Sequence, residues 1–317
     1  MDMEFPRIGL DVPDKTSAAT AVDSILRAES RGVPMVWSTV GGVRPDAMTF
    51  FPAALARTRS IKLGTAIVPT YPRHPAALYS QAAAIYQMFP DRFRLGIGPS
   101  HRPTIEGGFG IEMGRPLAHL REYLMVLRSL IDTGEADFSG DYFTVSISGG
   151  TPAPMPLYIS ALRQNAFRLA GEAADGAISW LCPVAYLNET AIPSMRAGAQ
   201  EAGRAAPRMI AHVPVVMSDN LERVREVANP VVSRYARLPF YANMFADAGY
   251  PVGPDSKVTD DLLDHLVVNG SVETVEQRLS AILDTDIDEL LVMLIPGDDP
   301  AAEEEDLSGI IARLAAK

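Results

Sequence analysis

The chain has 317 residues and a mass of 34.2 kDa, with 47% hydrophobic and 21% charged residues, which suits a large α/β domain and excludes a disordered or fibrous chain. A formal net charge of −11 and a pI near 5.0 argue against a nucleic-acid partner, because phosphate contacts need a basic face. There is no long uncharged apolar run for a membrane span, residues 1–12 lack a secretory pattern, and the single Cys182 excludes an intrachain disulfide; a cytoplasmic protein is expected.

Short apolar runs alternate with helical patterns from the start. "RIGLDV" (7–12) reads as the first strand, followed by a helix with Ala18, Ala21, Val22 and Ile25, capped by Thr16 and stopped by Gly32. "PMVWS" (34–38) is the second strand and 45–56 the second helix. "IKLGTAIV" (61–68) is the third strand, and Leu78, Ala82, Ile85 and Phe89 then recur at helical spacing. "RFRLGIG" (92–98) is the fourth, followed by a glycine-containing loop and then a helix with Pro116 in its first turn.

"GEADFSGDYFTVS" reads as a β-hairpin turning near Ser139, Gly140 and Asp141. Strands five to seven are 156–161, 176–181 and 209–217, and the eighth is 288–296, preceded by a helix capped by Ser271. Between strands seven and eight, "RYARLPFYANMFADAGYPVGPDSK" (234–257) is aromatic, rich in Pro and Gly, and reads as an irregular, lid-like insertion. The acidic tail supplies a closing helix. The pattern predicts an α/β fold, a (β/α)8 TIM barrel forming one domain over 1–317, with insertions near 99–115, 134–150 and 234–257. A doubly wound sheet is the rival, but "LDVPDKTS" lacks its glycine fingerprint at the first turn.

In a barrel, chemistry sits at the carboxyl ends of the strands. His101, just past "LGIGPS", is the leading candidate for proton transfer. Arg73 and His74 suit an anion site or a solvated loop, and Tyr71 precedes them. His212 alternates within a strand and is expected to be a satisfied buried histidine; His119 is expected to be structural and His265 surface. Dispersed histidines make no metal site. A helix starting near Gln164, with Arg163 before it, would offer amides and a cation to a phosphate. Trp180 suits a substrate wall or the core.

"IKLGTAIVPTYPRHPAALYSQAAAIYQMFPDRFRLGIGPSH", "MPLYISALRQNAFRLAGEAADGAI" and "GSVETVEQRLSAILDTDIDELLV" together resemble the luciferase-like flavin and deazaflavin oxidoreductases, in the same order along the chain. "TYPRHP" and "LGIGPSHRPTIEGGFG" are most similar to the branch that uses coenzyme F-420, an 8-hydroxy-5-deazaflavin. The resemblance implies a non-prolyl cis peptide between Ala66 and Ile67 behind the deazaflavin ring, with Thr39, Thr65, Val68 and Pro99 around it. It places the cofactor phosphate at the backbone of Leu162, Arg163, Gln164, Asn165 and Ala166, with Ser160 and Ala161 also in the cofactor site.

The implied activity is hydride transfer between reduced deazaflavin and a small unsaturated substrate, such as an imine, enone or activated alkene. His101 would donate or orient a proton, with Tyr71 and His74 as alternatives. The partners expected are a small molecule and a second copy of the chain. Two departures stand out. Sugar-phosphate dehydrogenase relatives carry an Asp-His pair after strand two, where "WSTVGG" offers only Thr39, and an acidic residue where this chain has His101; both argue against glucose 6-phosphate. The alternatives are an FMN-dependent monooxygenase and a non-enzymatic flavin-binding relative.

Overall fold

The computed structural model describes residues 5–317 apart from 43, 254 and 256. Eight parallel strands run in chain order around a ring. They are β1 (Ile8–Asp11), β2 (Met35–Ser38), β3 (Lys62–Thr65), β4 (Phe93–Gly98), β5 (Leu157–Ser160), β6 (Gly176–Trp180), β7 (Arg208–Val216) and β8 (Glu289–Leu294). The ring closes where β8 pairs with β1, Val292 opposite Leu10. With helices packed outside, this is a TIM barrel.

The strands form because their residues are mostly apolar and both faces are covered. One set packs outward against helices; the other fills the barrel with Met35, Trp37, Tyr158, Ile178, Ile210 and Leu291. At the amino-terminal end of this interior lie two fully buried charges. Arg94 donates to both oxygens of Glu289 at 2.7 and 2.8 Å, and Trp37 Nε1 donates to Glu289 Oε1 at 3.0 Å. The guanidinium carbon of Arg94 lies 4.5 Å from the Trp37 ring centroid. The glycines of "LGIG" also have a packing role. A Cβ at Gly96 would overlap the Thr65 carbonyl oxygen, and one at Gly98 would overlap Ser160 Oγ.

Several expected boundaries shift for identifiable reasons. The first helix, Ala18–Ser30, is capped by Ser17 rather than Thr16: Ser17 Oγ accepts from Thr20 N while the Thr20 side chain accepts from Ser17 N. Thr16 Oγ1 instead donates to Asp14. The expected third strand 61–68 is broken: β3 ends at Thr65, the Ala66–Ile67 peptide is cis, and Val68–Pro69 pairs separately with β4. The hairpin pairs Ala136–Ser139 with Thr144–Ile147, and the Glu122 carboxylate accepts from the amides of Asp141, Tyr142 and Phe143 in its turn at 2.9, 2.8 and 3.1 Å. The loop after β4 contains one π-helical stretch, Pro103–Gly108.

The largest difference is at 234–257, expected to be irregular. The Leu221–Ala236 helix runs into it, and a second helix, Pro239–Asp247, follows. Pro239 sits in the first turn, where its missing N–H costs nothing, and Tyr241, Met244 and Phe245 form a buried stripe. Proline and aromatics there mark a helix start and a packed face rather than loop. Residues 254 and 256 of that span lie outside the described residues.

Candidate active site

A cavity of about 1660 Å³ opens at the carboxyl ends of the strands. Its floor is the Ala66–Ile67 segment, held by the end of β2 and the loop after it: Ala66 N donates to Ser38 O at 2.8 Å and Val40 N donates to Ile67 O at 3.3 Å. One wall is the turn from β5 into the Gln164–Ala173 helix, from Ser160 to Ala166. Arg163 is that helix's N-cap, and no side chain caps it. Its guanidinium is engaged by Asp247 of the Pro239–Asp247 helix, with Nε 2.6 Å from Oδ2.

The opposite wall comes from the loop after β1. Lys15 Nζ lies 2.7 Å from both oxygens of Asp11 and 3.0 Å from Thr39 Oγ1. Burial pushes the Asp11 pKa up, against the pull of Lys15. The third wall is aromatic. His101 lies 5.7 Å from the ring centroids of both Tyr235 and Tyr241, and Trp180 lies 4.2 Å from His212. Four cations, Lys15, Arg44, Arg163 and Arg234, line the cavity against three carboxylates, Asp11, Asp14 and Asp247, in a chain of net charge −11. The lining is thus one positive charge in excess, with Lys15 paired to Asp11 and Arg163 to Asp247.

Of the residues expected at the site, His101, Thr39, Ala66, Ile67, Pro99 and the stretch 160–166 line this cavity. Thr65, Val68, Tyr71 and His74 do not. Thr65 is buried, its hydroxyl donating to Gly96 O and accepting from Gly96 N, both at 2.8 Å, and Val68 is core. Tyr71 stacks on His119 at 3.9 Å and donates to Met113 O; burial raises its pKa to about 12. His74 caps the Pro75–Met88 helix, its Nδ1 accepting from Ala76 N at 3.2 Å, and Arg73 is paired with Asp46. These three side chains tie the loop after β3 to its neighbours.

His212 differs from expectation. It is buried on the cavity wall, but among the described residues its Nε2 has no hydrogen-bond partner, and neither has Trp180 Nε1. Sequence reading missed Asp11, Lys15, Tyr235 and Tyr241. Asp11 ends β1, so the strand-end rule would have found it; the two tyrosines lie in the aromatic span already marked. Cys182 Sγ, near the cavity, lies 3.8 Å from Trp180 O, and burial pushes its pKa up.

Burial lowers the pKa of three histidines. Arg234 adds to the effect at His101, Lys15 adds to it at His212, and His119 falls to about 4. In the unfolded chain each returns toward about 6.5. Between those values the unfolded state binds more protons, so stability is lost as pH falls. Thermal melts are expected to show the midpoint dropping progressively from about pH 6.5 toward pH 4. A flat profile across that window would contradict this burial.

A closed barrel with a large, cation-rich cavity at its strand ends is the architecture of a ligand-binding α/β-barrel enzyme. The chain belongs to the luciferase-like monooxygenase family, whose model matches residues 4–289. Among curated proteins it is similar to an F420-dependent glucose-6-phosphate dehydrogenase of Nakamurella multipartita, 30% identical over 198 residues, covering 60% of this chain and 58% of the relative. It therefore spans less than two thirds of that relative's length. The enzyme of the same name from Nocardia farcinica is 25% identical over 302 residues, 88% of each chain. Its fold matches an F420-dependent secondary alcohol dehydrogenase solved with an F420-acetone adduct (TM-score 0.80, 19% identity, 98% of this chain and 99% of that one). It also matches the FMN-bound oxygenating constituent of 3,6-diketocamphane monooxygenase from Pseudomonas putida (TM-score 0.74, 18% identity, 99% of each).

Proposed function

We propose that the protein is a deazaflavin-dependent oxidoreductase that transfers a hydride between coenzyme F-420 and a small unsaturated substrate. The observation that carries this reading is the cavity itself. Drug-sized ligands occupy roughly 300–1,000 Å³, so about 1660 Å³ leaves room for a tricyclic cofactor and a substrate together. The cation excess suits a phosphate-bearing cofactor, and curated relatives in the family carry F-420 dependence in their names.

The residues present fit such a group. The Ala66–Ile67 backbone offers a flat floor, and the uncapped start of the Gln164–Ala173 helix offers amide donors to a phosphate. Asp247 would have to share the Arg163 guanidinium with that phosphate. When bound, the deazaflavin would supply the two-electron hydride chemistry. His101 is kept neutral by burial and by Arg234, so it would orient substrate as a hydrogen-bonding ring rather than donate a proton from a cation. The absence of an Asp-His pair beside Thr39 supports a substrate other than a sugar phosphate.

The test is titration of the purified protein with F-420 and FMN side by side. F-420 is expected to bind at least tenfold more tightly, a difference of about 1.4 kcal/mol, and to support anaerobic turnover. Tighter FMN binding together with oxygen-dependent hydroxylation of product would replace this reading with a monooxygenase.

A further inference from the structure

We infer that Lys15 is the cation that contacts the substrate, and that the substrate is a neutral acceptor activated by a carbonyl, such as an enone, rather than a protonated imine. The inference rests on the hydride-transfer reading of the cavity and narrows the substrate class within it.

The first support is placement. Lys15 is held by Asp11 and Thr39, and only 13% of its side chain is exposed. Thr39 lies between Ser38 and Val40, the two residues that hydrogen-bond to Ala66 and Ile67. The ammonium is therefore fixed beside the cavity floor, and its ordering cost is met before a ligand arrives.

The second support is the donor inventory. Trp180 Nε1 and His212 Nε2 lie on neighbouring strands, in rings 4.2 Å apart, and neither has a partner among the described residues. An indole N–H and an ammonium can only donate, and a neutral imidazole carries one donor. Burial and the charge of Lys15 keep His212 neutral. Both oxygens of Asp11 accept from Lys15, and Asp14 accepts through Oδ1 from the amide and hydroxyl of Thr16; the third contact of the ammonium, to the neutral Thr39 Oγ1, is the one a substrate oxygen would replace. The unpartnered Trp180 N–H and the positive charge of Lys15 both favour an oxygen bearing developing negative charge over a cationic nitrogen, and His212 Nε2 can join as a donor in its Nε2–H tautomer.

The assigned step balances. The β-carbon of the enone accepts a hydride from the reduced cofactor and forms a C–H bond. The C=C electron pair shifts toward the carbonyl, giving an enolate whose oxygen Lys15 holds. The α-carbon then takes a proton from Lys15, which solvent restores. The substrate gains two electrons and the cofactor loses the same two.

The test uses 4-nitrophenolate, a planar anion with its charge on oxygen, as an enolate mimic, titrated into cofactor-free protein and read by its absorbance shift. Lys15→Met is expected to weaken phenolate binding about tenfold or more, a larger loss than in its F-420 affinity. With reduced F-420, its kcat on 2-cyclohexenone should fall about 100-fold with little change in KM, while 1-pyrroline is not slowed. Lys15→Arg, which keeps the charge, should retain phenolate binding. Should Lys15→Met not fold, Lys15→Gln carries the same comparison. Unchanged phenolate affinity, or equal losses on both substrates, would overturn the assignment and leave Lys15 a loop fastener. If wild-type protein binds phenolate through Lys15 but not F-420, the cofactor reading fails and the anion subsite stands.

Discussion

Arg94→Met is expected to cost about 3–5 kcal/mol of stability, the usual penalty for leaving one member of a buried ion pair alone. Arg94 and Glu289 are both fully buried, and Arg94 supplies two of the hydrogen bonds that Glu289 accepts. Without it, the carboxylate keeps the Trp37 indole at 3.0 Å and the more distant Arg208 at 3.7 Å. The melting temperature should fall by roughly 10 °C. Arg94→Met combined with Glu289→Leu should recover much of the loss, because no uncompensated charge then remains. If the double variant melts no higher than the single one, the pair's packing rather than its charge is what matters.

Gly96→Ala is the second large effect, and it links the core to the site. The added Cβ meets the Thr65 carbonyl oxygen and, at 2.9 Å, Ile178 Cδ1. Neither can move freely: Thr65 exchanges two hydrogen bonds with Gly96, and the next residues form the cavity floor. Overpacking of this kind costs about 1–3 kcal/mol. The displacement should propagate into Ala66 and Ile67, so F-420 affinity is expected to fall about tenfold or more alongside the melting temperature. Gly107→Ala, where a Cβ meets nothing within 4 Å, is the control and should change neither. An unshifted melt and unaltered F-420 titration for Gly96→Ala would show that the strands give way more easily than this packing implies.

The fold was legible because its signals are local. Alternating apolar runs and helical stripes, Pro116 in a first turn, Gly32 at φ +82° and Ser271 as a cap each act within one turn of chain. The site was legible where a rule about strand ends applied, as at His101 and 160–166. It was not legible where role depends on partners far along the chain. Nothing near His74 shows that it caps its own helix rather than facing the cavity. Arg94 and Glu289 stand 195 residues apart, and only barrel closure turns two charges in strands into one buried pair. Lys15 reads as a surface residue until the first loop folds it onto Thr39.

Cys182 has a practical consequence. It is the sole cysteine of the chain, and its half-buried thiol, with a pKa pushed up by desolvation, is a poor nucleophile at neutral pH. A cysteine introduced on an exposed surface, for instance on the Pro239–Asp247 helix, is expected to react faster with a maleimide dye than Cys182 does. Wild-type sequence thus serves as its own cysteine-light background, and a single substitution suffices to attach a spectroscopic reporter beside the cavity mouth.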